Sequence, residues 1–254
     1  MTEITDKKRN IASIILAAGK GTRMQSSLPK VLHTINNKTL LSYVIDLAQS
    51  VHCEKTVVIV GYQIAAICEA FRDVAVVFAE QKEQLGTAHA AAQAQAELTD
   101  FSGDIFILCG DVPLLKKETL LSLLNVHIEQ NADVTVMTTI VADPASYGRV
   151  VKNDSGAILR IVEFRDATTE EKKIAEINTG IYCVRAEFLF RALASISNLN
   201  QQGEYYLTDI IAVAVQEKKR AVAFILPDYR EAIGINSMEE LEIAKNYLDE
   251  RKHA

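Results

Sequence analysis

The stretch IASIILAAGKGTRM, residues 11–24, decides the fold of this sequence. Its first six residues, 11–16, form an apolar, β-branched run of the length expected for a strand buried on both faces. Small residues follow, and Gly19 and Gly21 allow the backbone to turn sharply. A buried strand that runs into such a loop predicts the start of an α/β domain whose ligand site lies at the C-terminal end of the strand.

Short apolar runs alternate with segments of helical spacing over the first 140 residues. Further strands are predicted at 56–60, 74–78, 105–108 and 134–140, and helices at 40–49, 63–72, 87–98 and 118–130. This alternation predicts a Rossmann-like, mostly parallel, doubly wound sheet with helices on both faces and right-handed crossovers. Residues that directly follow the strands are therefore the first candidates for a functional site.

The rhythm of the sequence changes near Tyr147. Predicted strands at 149–152 and 158–163 flank the turn cluster Asn153-Asp154-Ser155-Gly156, which is typical of a hairpin. Further strands are predicted at 180–184 and 221–226, and helices at 186–195 and 208–216. We expect one domain over residues 1–236 that includes a smaller lobe at about 142–225, laid over the sheet. A charged amphipathic pattern predicts a C-terminal helix within 237–254, with its surface mainly in solvent.

The composition excludes several classes of protein. The chain has 254 residues, 27 Lys and Arg against 33 Asp and Glu, a net charge of −6, and 49% hydrophobic residues. Such a chain is neither disordered nor disulfide-rich, and its acidity argues against a nucleic-acid partner. The first ten residues are polar, and no apolar run is long enough for a signal peptide or a membrane span. Four widely spaced cysteines suit reduced thiols, so we expect a cytoplasmic protein without a membrane partner.

Positive charge is concentrated in the loop that follows the first strand. Lys20, Arg23 and Lys30 lie within eleven positions of an otherwise acidic chain. Two familiar phosphate-binding motifs do not fit: the spacing differs from Walker A, and Met24 stands where the dinucleotide fingerprint needs a third glycine. A tight strand-to-helix turn with solvated cations is the alternative to a phosphate site.

The same loop opens a series of short motifs that extends over nearly the whole chain. The motifs are LAAGKGTRM (16–24), LPKVL (28–32), EQLGTAH (83–89), GDVPL (110–114), YGR (147–149), IVE (161–163), EINTG (176–180), GEYYLTD (203–209) and GIN (234–236). Their identity and order resemble the sugar-phosphate nucleotidyltransferases, and most closely the uridyltransferase domain of the bacterial N-acetylglucosamine-1-phosphate uridyltransferases. The resemblance implies a GT-A-like nucleotidyltransferase fold in which the smaller lobe binds the sugar.

A metal site is expected at Asp111. This residue follows a predicted strand, so its carboxylate would stand at the C-terminal edge of the sheet. An N-cap for the helix near Glu118 is the alternative, but the separation is too large for direct capping. The resemblance implies that Asp111 and Asn236 together hold Mg²⁺, because carboxylate and amide oxygens suit a hard cation.

The resemblance also assigns the catalytic and substrate-binding residues. Arg23, Lys30 and Asp111 are expected to be catalytic, since nucleotidyl transfer spreads negative charge over phosphate oxygens. Lys20 is equally well explained as a solvated lysine. Uracil recognition falls on Leu16, Ala17, Ala18, Gly19, Gln81, Gly86 and Thr87. Further substrate contacts fall on Lys30, Cys109, Gly110, Gly148, Glu163, Asn178 and Asn236, of which Gly148, Glu163 and Asn178 are expected at the sugar.

Some of these assignments have ordinary structural alternatives. Glu163 could be an ion partner of Arg160 or Arg165, and Asn178 could be a turn residue. Cys109 stands where many relatives carry tyrosine, and we interpret it as a buried thiol, since no sequence feature supplies a base for a nucleophile.

The expected reaction is transfer of UMP from UTP to N-acetylglucosamine-1-phosphate for cell-envelope precursor synthesis. The alternatives are a nucleotidyltransferase for a different sugar phosphate and a sensor that binds a UDP-sugar without turnover. Full-length relatives continue into hexapeptide repeats that carry acetyltransferase activity and form a trimer. This sequence has no such repeats, so we expect no acetyl transfer, and the oligomeric state is left open.

Overall fold

A computed structural model describes residues 9–252 of the chain. Residues 1–8 and 253–254 lie outside the described residues, and with them most of the polar start of the chain and the last two residues of the predicted C-terminal segment. Among the described residues, no helix combines the length and the apolar character needed to cross a membrane.

The first half of the chain builds most of a sheet and four helices. In order, these elements are β1 (Ile11–Leu16), β2 (Thr34–Ile35), β3 (Lys38–Thr39), α1 (Leu40–Ser50), β4 (Lys55–Val60), α2 (Ile64–Ala70), β5 (Val77–Glu80), α3 (Thr87–Ala92), β6 (Asp104–Cys109), α4 (Lys117–Glu129) and β7 (Val134–Ile140). The short strands β2 and β3 pair with each other in a separate hairpin. One-turn 3₁₀ helices at Thr22–Met24 and Lys30–Leu32 connect β1 to this hairpin.

The second half adds strands to the same sheet. Its elements are β8 (Arg149–Lys152), β9 (Ile158–Val162), β10 (Glu176–Arg185), α5 (Ala186–Ser195), α6 (Asp209–Gln216), β11 (Ala221–Ile225) and α7 (Met238–Lys252). The strand order is β11-β7-β10-β6-β1-β4-β5, and the β8–β9 hairpin is attached through β10. Along this path β10 is antiparallel to both neighbours, while the other pairs are parallel. The predicted α/β class with a mostly parallel sheet is confirmed.

Two buried clusters lie on the two faces of the sheet. Ile14 and Ile15 are adjacent on β1 but belong to different clusters, because successive side chains of a strand point to opposite faces. α3, α5, α6 and the β8–β9 hairpin cover the face of Ile14, while α1, α2 and α4 cover the face of Ile15. Helices therefore pack on both sides of the sheet, as the doubly wound pattern predicts.

The strand prediction was too short at β10. The strand predicted at 180–184 begins at Glu176 in the structure, so Asn178, for which a turn was the alternative, lies inside β10 in the middle of the main sheet. The register shifts between Asn178 and Tyr182, and Gly180 adopts a φ of +80°, so the strand bends without leaving the sheet. β10 and β11 both come from the predicted lobe at 142–225 and both belong to the main sheet. The division into domain and lobe stays a prediction.

Two further boundaries differ from prediction. The helix predicted at 87–98 ends at Ala92, because the next amides bond to carbonyls three residues back and tighten the chain into a 3₁₀ segment, Ala96–Leu98. The strand predicted at 74–78 begins only at Val77, since a turn bond from the Val74 amide to the Phe71 carbonyl occupies its first residues.

The C-terminal helix α7 packs one face against the domain. Leu241, Ala244, Tyr247 and Leu248 contact a small cluster made by Ile35, Leu40, Leu114 and Ile235. Ala244 is fully buried, while the other residues of α7 whose burial is described are exposed or partly exposed, so the helix lies mainly in solvent and packs along this one face. α7 thereby supports the chain on both sides of Asn236.

Candidate active site

The loop after β1 is held by backbone bonds to the neighbouring strands. The Ala17 amide donates to the Ile59 carbonyl at 2.9 Å, and the Gly110 amide donates to the Leu16 carbonyl at 2.9 Å. Ala17 and Ala18 are buried, whereas Gly19 is exposed. The residues predicted for base recognition in this loop therefore lie at the C-terminal edge of the sheet beside Gly110.

Gly21 brings Lys30 close to this loop. Its φ is +60°, and a Cβ atom there would lie 2.6 Å from the Lys30 Cβ. Any larger residue would push Lys30 away and would also strain the backbone. The glycine is thus required by the approach of Lys30, which begins the second 3₁₀ turn.

Lys30, Asp111 and Asn236 meet although they are far apart in the sequence. The Lys30 ammonium forms an ion pair with Asp111 Oδ2 and donates to Asn236 Oδ1 at 3.0 Å. Both ion-pair side chains are mostly buried, with exposed fractions of 14% for Lys30 and 18% for Asp111. A backbone bond of 2.9 Å from the Ile235 amide to the Asp111 carbonyl joins the two loops directly. We call these three residues the cation triad.

Two members of the cation triad, Asp111 and Asn236, offer the oxygen ligands that Mg²⁺ requires. A cation, the Lys30 ammonium, already lies between a carboxylate oxygen and an amide oxygen. The Asn236 amide nitrogen donates to the Gly234 carbonyl at 3.0 Å, which leaves the amide oxygen directed at the cation. Among residues 9–252, no group of three or more His, Cys, Asp and Glu side chains could hold a metal. Two protein oxygens would therefore need phosphate and water oxygens to complete the shell.

Arg23 borders this site without joining the triad. It is exposed on the turn Thr22–Met24, and no hydrogen bond or ion pair within the described part of the chain connects it to Asp111. Burial raises the pKa of the Tyr147 hydroxyl, Glu240 and Asp111 raise it further, and Arg23 lowers it. Tyr147 therefore lies close enough for electrostatic interaction with both Arg23 and Asp111. Lys20 is exposed, as the solvated alternative requires.

Gln81, Gly86 and Thr87 form a second connected group. The Gln81 amide nitrogen donates to the Gly86 carbonyl at 3.0 Å and lies 3.1 Å from His89 Nδ1. At Gly86 a Cβ atom would lie 2.5 Å from the Tyr205 carbonyl oxygen, so only glycine fits. Thr87 Oγ1 accepts from the Leu207 amide at 2.9 Å. The GEYYLTD motif therefore holds the loop predicted to read the base.

Gly148, Glu163 and Asn178 form a third group. The backbone amide of Asn178 donates to the Gly148 carbonyl at 3.0 Å. A Cβ atom at Gly148 would lie 3.4 Å from Glu163 Oε1. Glu163 accepts from Thr208 Oγ1 at 3.1 Å, and Asn178 Oδ1 accepts from the Tyr182 hydroxyl at 3.1 Å. Burial raises the pKa of the Glu163 carboxyl, while the Thr208 bond opposes that rise. The three predicted sugar contacts are thus neighbours.

Among the described residues, Glu163 forms no ion pair with Arg160 or Arg165, the two partners of the alternative interpretation, and Arg160 pairs with Glu171. Cys109, the last residue of β6, lies against β10. Its Sγ is 3.5 Å from the Gly180 carbonyl, and burial raises its pKa to about 12. The group is therefore a thiol at neutral pH, which agrees with packing rather than nucleophilic attack.

Several supporting residues were not identified from the sequence. Glu240 accepts from the Asn236 amide at 2.6 Å, and the Ser237-x-x-Glu240 spacing is a capping-box signal that could have revealed it. Thr208 lies in a quoted motif but had no assigned role. Glu231 carries no motif signal at all, because its partners lie more than 110 positions away.

The family described as nucleotidyl transferase matches residues 12–243. The chain belongs to this family. The bifunctional protein GlmU of Desulfotalea psychrophila is 44% identical over 248 residues, which cover 97% of this nucleotidyltransferase and 73% of that protein. GlmU of Geotalea daltonii is 46% identical over 91% of this chain and 51% of its own, and GlmU of Brevibacillus brevis is 44% identical over 95% and 52%.

The resemblance drawn from the motifs is confirmed at the level of the family. This nucleotidyltransferase spans only about half the length of the last two relatives. Their whole activities are therefore not transferred to it by similarity alone.

Proposed function

We propose that this chain transfers UMP from UTP to N-acetylglucosamine-1-phosphate, giving UDP-N-acetylglucosamine and pyrophosphate, and that it acts on these small molecules in the cytoplasm. The observation that carries the proposal is the cation triad, in which Lys30, Asp111 and Asn236 meet at the edge of the sheet beside the glycine loop. A UDP-sugar sensor would have no need of a cation site aimed at a transferring phosphate.

Mg²⁺ is the proposed cofactor, and Asp111 and Asn236 would hold it. When bound, the metal supplies charge neutralisation at phosphate oxygens. Lys30 now lies between the same two oxygens, so its flexible stem would carry the ammonium from them to the phosphates of the nucleotide. Arg23 is exposed on the adjoining turn and can fork across two phosphate oxygens.

The attacking group needs no activation by a side chain, because a sugar phosphate is already an anion at neutral pH. Its oxygen forms a bond to the α-phosphorus of UTP as the bond to the leaving pyrophosphate breaks. The task of the protein is then to position the two substrates and to stabilise the developing charge.

Three groups of residues would do the positioning. The loop at Leu16–Gly19 with Gln81, Gly86 and Thr87 would hold uracil, and Cys109 and Gly110 would line the floor at the end of β6. Gly148, Glu163 and Asn178 would hold the sugar, because a carboxylate and an amide suit hydroxyl and acetamido groups.

A panel of nucleoside triphosphates and sugar phosphates with Mg²⁺ tests the proposal. Pyrophosphate release is followed, and the products are separated by chromatography. We expect UDP-N-acetylglucosamine from UTP and N-acetylglucosamine-1-phosphate. Another product would indicate a different sugar phosphate, and calorimetric binding of UDP-N-acetylglucosamine without pyrophosphate release would indicate a sensor. Asp111→Asn should abolish turnover in a folded protein, and retained activity would remove Asp111 from the metal site.

A further inference from the structure

We infer that Glu231 is a positioning residue that holds the loop of Asn236 against the loop of Asp111, an inference that rests on the proposed function because it takes both residues as metal ligands. Glu231 lies five positions before Asn236, and its first partner, Lys116, lies five positions after Asp111. One carboxylate therefore connects the two chain segments that carry the proposed ligands.

Glu231 is buried and fully engaged. Its exposed fraction is 4%. One oxygen, Oε2, accepts from the Lys116 amide at 3.1 Å and from Thr119 Oγ1 at 2.6 Å. The other, Oε1, pairs with the Lys116 ammonium at 2.9 Å. A buried carboxylate with three donors is strongly held, and removing one partner would leave a costly unpaired group.

These contacts bring a carboxylate to the start of α4. The N-cap residue of α4 is Lys116, whose side chain cannot accept a hydrogen bond and makes no cap. From the 3₁₀ turn Tyr229–Ala232, Glu231 accepts from the amide of this N-cap residue and from the Thr119 hydroxyl, so its charge lies at the positive end of the α4 dipole. The position of α4, and with it the loop after Asp111, thus depends on the segment that leads to Asn236.

Asn236 is held from its other side as well. Glu240, in the first turn of α7, accepts from the Asn236 amide at 2.6 Å and from the Ser237 amide at 3.1 Å. Asn236 therefore lies between two carboxylate anchors, Glu231 before it and Glu240 after it. With Glu231 removed, the two ligand loops would lose the three contacts of its carboxylate and would keep the Ile235 bond to Asp111 and the packing of Ile235 with Leu114.

The predicted consequence is a loss of metal affinity, because a pair of oxygen ligands binds a cation well only when their separation is fixed. Loss of residues that support metal ligands typically weakens metal binding about tenfold or more. Glu231 contacts Lys116 and Thr119 and is not among the residues proposed to hold the substrates or the metal, so its effect must pass through the positions of Asn236 and Asp111.

The test uses the full chain and Mn²⁺ alone, measured by the loss of the electron paramagnetic resonance signal of the free ion. We expect Glu231→Gln to weaken Mn²⁺ binding about tenfold and to raise the Mg²⁺ concentration for half-maximal pyrophosphate release by a similar factor. Thr119→Val leaves the Glu231 carboxylate in place but removes one of its donors, so it should weaken Mn²⁺ binding less than Glu231→Gln does. Thr119→Ser keeps the donating hydroxyl and should bind Mn²⁺ as the wild type does.

Asp104→Asn is the matched control. Asp104 is an equally buried carboxylate paired with Arg9 at 2.7 Å, and it begins β6 at the end opposite to Cys109. We expect this variant to lower the melting temperature without changing Mn²⁺ affinity. The inference is overturned if Glu231→Gln binds Mn²⁺ like the wild type while Asp111→Asn does not. If the wild type binds no Mn²⁺ either alone or with UDP-N-acetylglucosamine present, both the inference and the proposed metal site fall; if it binds Mn²⁺ only with UDP-N-acetylglucosamine, the variants are compared in its presence. The absence of pyrophosphate release with normal Mn²⁺ binding would count against the proposed reaction alone.

Discussion

Lys30 and Asn236 are 206 positions apart in the sequence, yet a 3.0 Å hydrogen bond joins the Lys30 ammonium to the Asn236 amide oxygen. The same ammonium pairs with Asp111. An internal cation thus lies between the two oxygens that are proposed to hold Mg²⁺. In the free protein, the lysine and the metal would compete for the same position.

Replacing Lys30 separates its two proposed roles. Lys30→Met keeps the length of the side chain but removes the charge, so we expect the rate of pyrophosphate release to fall about 100-fold because a cation at the transferring phosphate is lost. The same variant should bind Mn²⁺ more tightly when no nucleotide is present, since the ammonium no longer competes. Steady-state kinetics and Mn²⁺ titration measure the two effects. Unchanged turnover in Lys30→Met would exclude Lys30 from catalysis.

Gly21→Ala should damage the site by moving Lys30. The new Cβ atom would lie 2.6 Å from the Lys30 Cβ, at a φ of +60°. The backbone strain alone costs about 1 kcal/mol, and the displacement of Lys30 should lower turnover as well.

Gly156→Ala is the control for strain without displacement. Gly156 has a φ of +81° in the β8–β9 turn, but a Cβ atom there meets nothing within 4 Å. We expect Gly156→Ala to lose the free energy of unfolding that strain alone costs, Gly21→Ala to lose at least as much in urea, and only Gly21→Ala to lose activity. Equal activities would contradict the role given to Gly21.

The fold is largely predictable because its strands are apolar runs with a clear length. β1 and β7 match the predicted bounds, since each is buried along nearly its whole length. The β2–β3 hairpin was missed because each strand has only two residues. The packed face of α7 was not identified because charged residues surround the apolar positions 241, 244, 247 and 248 that pack on the domain. Tertiary contacts, rather than periodicity, decide such elements.

The sequence predicts which residues form the candidate site but not the contacts between them. Motifs identify Lys30, Asp111 and Asn236, but no local pattern predicts that they meet, because the strand order brings their loops together. The role of Glu231 could not be predicted from the sequence for the same reason. Its three contacts all cross from one chain segment to another.

Cys109 should tolerate substitution and resist alkylation. Burial raises the pKa of its thiol to about 12, so almost no thiolate is present at neutral pH. We expect Cys109→Ala to keep turnover within about threefold of the wild type, since the loss is one of packing against Gly180. Iodoacetamide at pH 7, followed by mass spectrometry, should leave Cys109 unmodified in the native protein and modify it in urea. Abolished turnover in Cys109→Ala would reopen a chemical role for the thiol.

The pH dependence of sugar binding should report on Glu163. Burial raises the pKa of its carboxyl above the usual 4.5, the Thr208 hydrogen bond lowers it, and Asp209, Asp166 and Glu204 raise it further. If the carboxylate binds the sugar hydroxyls, the KM for the sugar phosphate should rise as pH falls through this raised pKa.

The effect of the same carboxyl group on folding stability has the opposite pH dependence. The protonated form favours folding, so the contribution of Glu163 to stability is present below about pH 4.5 and is lost as pH rises through the raised pKa.

Two variants separate this carboxylate from the titration of the substrate phosphate. Thr208→Val removes the bond that favours the charged form, so the rise in KM should begin at a higher pH than in the wild type. Glu163→Gln cannot ionise, so it should show a higher KM that follows only the substrate phosphate. Profiles measured at constant ionic strength, with saturating UTP and Mg²⁺, make the comparison. If Thr208→Val and the wild type show the same dependence of KM on pH, ionisation of Glu163 does not control sugar binding. Gly148, Glu163 and Asn178 would then recognise the sugar through neutral hydrogen bonds.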